Sequence, residues 1–140
     1  MKSFLLCLSV SFFAFPLFSQ ETIIRWEDTK GRKLEISAPT GLFNYGMISG
    51  DRIEYGSQYS DNPGKIIKVG DLRIEYGSKY SDNPGKIIKI GEIRIEYGEK
   101  YSDNPGKLIR VGGLRVNYSS KYSDNPGLIS SIEGSVLRNW

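Results

Sequence analysis

The sequence predicts an all-β protein: an antiparallel meander of 21-residue hairpin repeats, coiled or closed into a barrel-like or β-spiral sheet. Three observations predict it. The phrase Tyr-Ser-Asp-Asn-Pro-Gly occurs four times, at residues 59–64, 80–85, 101–106 and 122–127. Its prolines, at 63, 84, 105 and 126, are spaced by 21 residues without a slip. A fixed period in this range marks a repeat protein, whose units are stabilised mainly by their neighbours. Between phrases, two short β-branched runs flank a glycine-led pair, as in a tight hairpin.

Composition narrows the function. At 140 residues the chain has room for one domain of modest core. The formal net charge is +3. Lys2 is the one charged side chain of residues 1–19, so their removal leaves +2. That is too little for nucleic-acid binding. There is no histidine, which removes the commonest general base and metal ligand. Cys7 is the only cysteine, so a chain without it has neither disulfide nor thiolate nucleophile. No cofactor is expected.

Residues 1–19 read as a secretory signal peptide. Lys2 gives a positive start, Phe4 to Phe18 is almost wholly apolar, and Ser19 offers a small residue for cleavage before Gln20. The apolar run is short for a membrane span and contains Pro16. Cys7 sits too early for a lipoprotein cysteine and reads as one more apolar residue of the signal core. The mature protein is then exported, periplasmic or extracellular, with no membrane span after cleavage.

Residues 20–41 read as an N-terminal hairpin and linker. Thr22–Glu27 and Arg32–Ser37 are strand-like, and Asp28-Thr-Lys-Gly31 is a four-residue turn. Ala38-Pro39-Thr40-Gly41 breaks the pattern. Residues 42–140 read as the repeat region, with degenerate first and last units. Leu42 to Ile48 begins the first unit, and Ser49-Gly50 takes its turn.

The regular unit is clearest after the first phrase. Lys65–Val69 is one strand, Gly70-Asp71 the turn and Leu72–Tyr76 the return. Gly91-Glu92 and Gly112-Gly113 are the equivalent turns. A two-residue turn fixes register and alternation fixes faces. Val69 then faces Leu72, Lys68 faces Arg73 and Ile67 faces Ile74. The core face takes Val69, Ile67, Leu72, Ile74 and Tyr76. The wet face takes Lys68, Arg73, Glu75 and Ile66. The next units place Ile88, Ile90, Ile93, Ile95 and Tyr97 inside, then Ile109, Val111, Leu114, Val116 and Tyr118.

Asn-Pro-Gly suits a tight turn: proline presets φ and glycine accepts positive φ, while a preceding Asp or Asn bonds back to the backbone. At the C-terminus Leu128 replaces the lysine that follows the other phrases. Glu133-Gly134 takes the turn, and Val136 and Leu137 a last strand. Terminal repeats are commonly atypical because they cap the stack. About ten strands result. Each large apolar side chain is worth roughly 1.5–3 kcal/mol when buried, so the apolar face must be hidden. Closure or strong coiling is expected, with dimerisation through the face as the alternative.

The unit Gly-Lys-Ile-Ile-Lys-Ile-Gly-Glu-Ile-Arg-Ile-Glu-Tyr-Gly, residues 85–98, resembles the YD-repeat pattern of Rhs-type and teneurin-type proteins. Gly85-Lys86 and Tyr97-Gly98 hold the Gly-Arg/Lys and Tyr-Asp places, with glycine where the family has aspartate. The resemblance covers about residues 42–140 and implies a strand arrangement, a β-meander, rather than an activity. The unit is also similar to short 21-residue β-hairpin repeat proteins of unknown role from Bacteroidetes-type bacteria.

Two constellations offer binding chemistry. The first is a tyrosine row, Tyr59, Tyr80, Tyr101 and Tyr122, one per phrase beside Asp and Asn. Repeated exposed aromatics suit stacking on sugar faces; the structural alternative is that each ring packs over its own turn. The second is an outer basic stripe, with Lys68 opposite Arg73, Lys89 opposite Arg94 and Arg110 opposite Arg115. It suits an anionic polymer unless diagonal Glu75 and Glu96 neutralise it. Calcium is not expected at Asp61, Asp82, Asp103 and Asp124, since each loop offers a single carboxylate and turn chemistry explains it. No catalytic motif appears. The expectation is an exported, non-catalytic binding or structural module of the bacterial cell envelope, taking a polysaccharide or a protein partner. The alternative is a small enzyme or inhibitor with its site in residues 20–50, at Trp26, Glu27 and Glu35.

Overall fold

The computed structural model describes residues 21–137. The stretch read as a signal peptide, with Cys7, lies outside the described residues, as does Trp140. Within them the chain is all-β. β1 (Thr22–Glu27), β2 (Lys33–Ala38) and β3 (Phe43–Tyr45) form one antiparallel sheet. The other holds eight strands in chain order: β4 (Ile53–Tyr55), β5 (Ile66–Val69), β6 (Leu72–Tyr76), β7 (Ile87–Ile90), β8 (Ile93–Tyr97), β9 (Leu108–Val111), β10 (Leu114–Tyr118) and β11 (Ile129–Glu133).

Turn chemistry builds both sheets. Gly31 N–H donates to Asp28 O at 3.1 Å, closing the four-residue turn between β1 and β2. Gly70, Gly91 and Gly112 lead the two-residue turns with φ of 62°, 58° and 58°. A positive φ at the first central place fits type II′, whose twist matches the strands it joins. Val69 faces Leu72 and Lys68 faces Arg73, as the two-residue turn dictates.

The meander does not close into a barrel. It is an open sheet ending in β4 and β11. The expected barrel-like closure gives way because another part of the chain hides the apolar face. Ile24, Trp26, Leu34, Ile36 and Ala38 of the N-terminal sheet share one buried cluster with Leu72, Ile90, Ile95, Leu108, Val111 and Val116 of the meander. The N-terminal hairpin is therefore a lid over the repeat sheet. β3 extends it: Phe43–Tyr45, read as the start of the first repeat, pairs with β2. The chain changes sheets between β3 and β4, at the turn led by Ser49-Gly50.

Bulges correct the assignment of faces. Glu75 pairs with Lys89 but Tyr76 pairs with Ile87, so Ile88 is skipped. The same slip falls at Glu54/Tyr55 and Glu96/Tyr97, skipping Ile67 and Ile109. An extra residue reverses the alternation beyond it. Ile88 is consequently exposed rather than internal, while Leu108, one position earlier in its unit, is fully buried. Ile66, expected on the wet face, is the counterpart of Leu108 and is partly buried. Val136 and Leu137 form no last strand. The chain bends at Gly134 (φ 85°), and Val136 drops into the core while its carbonyl accepts the Gly113 N–H at 3.3 Å.

A buried ion cluster pins the sheets together. Arg32 is 2 % exposed. Its Nη1 donates to Asp28 Oδ2 at 2.7 Å, its Nε to Asp51 Oδ2 at 3.0 Å and its Nη2 to Asp71 Oδ1 at 2.7 Å. Lys30 meets Asp71 at 2.9 Å. Asp51 stands where later units carry Leu72, Ile93 and Leu114 at the inward position. An inward charge needs a partner, and Arg32 supplies it across the sheets. Hydrogen bonds donated to Asp51 and Asp28 hold the Arg32 proton above its ordinary range. Lys30 and Arg32 hold Asp71 down to about 2, and Arg32 and the Ile48 N–H lower Asp51. Burial pushes Asp28 up, but Arg32 and backbone N–H groups outweigh it and the net shift is downward.

Depressed carboxyls stabilise the fold above their ordinary value and lose that contribution as pH falls through the folded values. The melting temperature therefore falls between about pH 4 and about pH 2. In Arg32→Met it is lower at neutral pH, because three carboxylates lose their cation, and the gap to wild type closes across the same interval. A gap that stays constant with pH contradicts this role for the cluster.

Candidate functional site

All four phrase loops join strand pairs of the same sense, so they line one end of the eight-stranded sheet, opposite the two-residue turns. Each loop is tied at its base. Gly77 N–H donates to Lys86 O at 2.8 Å, and Gly85 N–H donates back to Gly77 O at 3.0 Å. Lys86 N–H reaches Asn83 O at 3.3 Å, closing the Asn-Pro-Gly turn, with Gly85 at φ 73°. The serine of the phrase makes the local side-chain bond: Ser60, Ser81, Ser102 and Ser123 each donate Oγ–H at 2.7 Å to the carbonyl three residues earlier.

A lysine ladder joins one loop to the next. Lys65 Nζ donates to Gly85 O at 3.1 Å, Lys86 to Gly106 O at 2.6 Å and Lys107 to Gly127 O at 2.9 Å. The same ammoniums lie over the rings of Tyr76, Tyr97 and Tyr118, 4.9–5.1 Å from the centroid. Each lysine thus bridges its own unit and the following one. Leu128 takes the lysine's place after the fourth phrase. The sequence carried this signal in the Lys-to-Leu change, though not its partner.

On this scaffold the tyrosine row stands in solvent. Tyr59, Tyr80, Tyr101 and Tyr122 are 91, 88, 92 and 87 % exposed. Rings packed over their own turns would be largely covered. Successive tyrosines lie two strands apart, about 10 Å at the usual strand spacing. Lys79, Lys100 and Lys121 each lie over the neighbouring ring, 4.9, 5.5 and 5.0 Å from its centroid. Gln58 takes that place in the first loop.

The basic residues are arranged differently. Lys68 does oppose Arg73, Lys89 does oppose Arg94 and Arg110 does oppose Arg115. The bulged register, however, puts glutamates directly opposite them on the other flank rather than diagonally: Glu54 faces Lys68, Glu75 faces Lys89, Glu96 faces Arg110 and Glu133 faces Arg115. Arg110 approaches Glu96 at 3.8 Å. Each pair of opposed cations is thus flanked by a glutamate.

In residues 20–50, Trp26 and Glu35 do not converge. Trp26 points into the core and faces Leu34, while Glu35 points outward and pairs with Arg25 at 2.7 Å. No helix among the described residues is long and apolar enough to cross a membrane. In comparisons with known proteins, no family model, no curated protein and no solved structure matches this chain.

The tyrosines of the returning strands behave unlike the row. Tyr76 donates its hydroxyl to Ile66 O at 2.7 Å, and Tyr118 donates to Leu108 O. Tyr97 is 5 % exposed and its hydroxyl is buried without a partner. Burial pushes Tyr97 and Tyr118 up to about 12, and raises Tyr76 as well. A raised phenol contributes stability that is present below its ordinary value of 10 and is lost as pH climbs through the folded value. The protein should lose stability between about pH 10 and 12. Phenolate absorbance should keep growing to about pH 12, and that late part should shrink in Tyr97→Phe/Tyr118→Phe. An unchanged late part in the double variant contradicts the assignment.

Proposed function

We propose that the chain is an exported, non-catalytic binding module of the bacterial cell envelope, and that its tyrosine row binds an extended polysaccharide. The observation that carries this reading is the near-complete exposure of four equivalent tyrosines along one sheet end. Four large rings left in water at regular spacing gain nothing for the fold, and aromatic rings are favoured where one face meets an apolar surface and the hydroxyl stays wet. A lysine over one ring face leaves the other for a sugar ring. Asp61, Asp82, Asp103 and Asp124 stand beside the rings and accept hydrogen bonds from hydroxyls. The spacing of about 10 Å between rings is close to the length of a disaccharide in an extended glycan. The 21-residue hairpin unit, similar to YD repeats, serves in this reading as a ruler that presents one ring per hairpin.

The glutamates that flank the opposed cations of the outer face favour the row over the basic residues as the binding surface. Co-sedimentation of residues 20–140 with purified envelope polysaccharides and peptidoglycan tests this. Retention should survive moderate salt, because stacking is not screened. Tyr80→Ala/Tyr101→Ala should weaken it by roughly thirtyfold, at ~1 kcal/mol per ring, with the melting temperature unchanged, as for exposed sites generally. Retention lost in salt would move the site to Lys68, Lys89, Arg110 and their partners. No retention at all would favour a protein partner or a purely structural role.

A further inference from the structure

A second surface stands apart from the tyrosine row and does not depend on it. Between the linker and β3 on one side and β4–β8 on the other lies an open groove of about 580 Å³. That is within the roughly 300–1,000 Å³ of small-molecule sites. Leu42, Phe43, Ile66, Ile74 and Ile87 line it. Leu42 and Tyr55 at the same groove are 63 and 58 % exposed, leaving apolar surface in water. Such surface commonly marks a binding site.

Two further features give the groove polar groups along its wall. Lys65 and Lys86 both line it. Each ammonium has three donors and spends one on a glycine carbonyl, leaving two. Tyr97 lies in the same wall, under the Lys86 ammonium at 4.9 Å from its ring centroid. Its counterparts Tyr76 and Tyr118 have carbonyl partners, and Tyr97 has none. The linker packs directly against this hydroxyl: a Cβ at Gly41 would meet Tyr97 Oη at 2.5 Å. A buried donor left unpaired costs stability, and an acceptor brought to it recovers that cost.

We propose that this groove binds a single-chain amphiphile with an anionic head, a long-chain carboxylate. The chain lies along Leu42, Phe43 and the three isoleucines. The carboxylate sits at the Lys86 ammonium, which lies over the Tyr97 ring, and a small shift of the Gly41 backbone lets it accept the Tyr97 hydroxyl. An apolar trough bordered by two ammoniums, one of them beside an unspent phenol, is complementary to that ligand and not to a neutral alkane.

The test is calorimetric titration of the full chain with monomeric palmitate and with 1-hexadecanol, the neutral analogue. Palmitate should bind with a stoichiometry of one, and at least tenfold more tightly than the alcohol. Lys86→Met should abolish that preference. Tyr97→Phe removes only an unpartnered hydroxyl, so the free protein should melt at the same or a higher temperature. Its palmitate affinity should still fall about ten- to a hundredfold, the range of a hydrogen bond to a charged group. Absence of palmitate binding overturns the proposal. So does equal affinity for the acid and the alcohol, or a Tyr97→Phe protein that binds palmitate as tightly as wild type.

Discussion

One guanidinium ties the architecture together. Arg32 leaves the turn between β1 and β2 and meets carboxylates from three turns: its own, the one leading into β4 and the one between β5 and β6. The apolar cluster supplies most of the adhesion between the sheets, but apolar burial is non-directional. The fork of Arg32, with donors in fixed directions, sets where the lid sits along the meander. Its burial is tolerable because each edge of the guanidinium has a carboxylate, and replacing the guanidinium itself leaves those carboxylates without their shared cation. With the lid placed there, β3 borders the apolar groove and the linker reaches β9, where Pro39 O accepts the Leu108 N–H at 2.9 Å.

The opposite end of the sheet is held by repetition. Each phrase loop is closed by backbone bonds at its base and tied to the next by a lysine that also covers a tyrosine ring. The cation–π contact and the bond to the glycine carbonyl use the same ammonium, so the loops are linked in series. Loops fixed in this way hold their exposed rings at constant spacing, which lowers the ordering cost of engaging a long ligand at several points. Tyr97 departs from its counterparts where the lid's linker presses on the repeat. The departure arises because one repeat sheet meets one unrepeated lid.

Much of this was legible in the residues. The strands, the glycine-led turns, the opposed cations and the Asn-Pro-Gly loops follow from short-range chemistry, and the structure has them. What failed depended on distant parts of the chain or on one inserted residue. The face of Ile67, Ile88 and Ile109 was misassigned because alternation cannot register a bulge. The apolar face of the meander needs no closure because the N-terminal hairpin covers it, and Ile24, Trp26, Leu34 and Ile36 alternate in the sequence as a second buried face. Asp51 at the inward position of Leu72 was a visible anomaly, and it pointed to a buried cation elsewhere in the chain. The tyrosine row was legible in spacing, but its exposure depended on loop geometry that propensity does not give.

The central claim is that lid and meander form one cooperative unit. Urea unfolding of a Trp140→Phe chain, followed by the fluorescence of Trp26 in the lid and by far-ultraviolet circular dichroism, which reports mainly the meander, tests it most directly. The account predicts coincident transitions with one midpoint, as expected for a two-state domain. A tryptophan transition at clearly lower urea than the loss of β-structure would show that the repeat sheet stands without its lid, and would contradict the account.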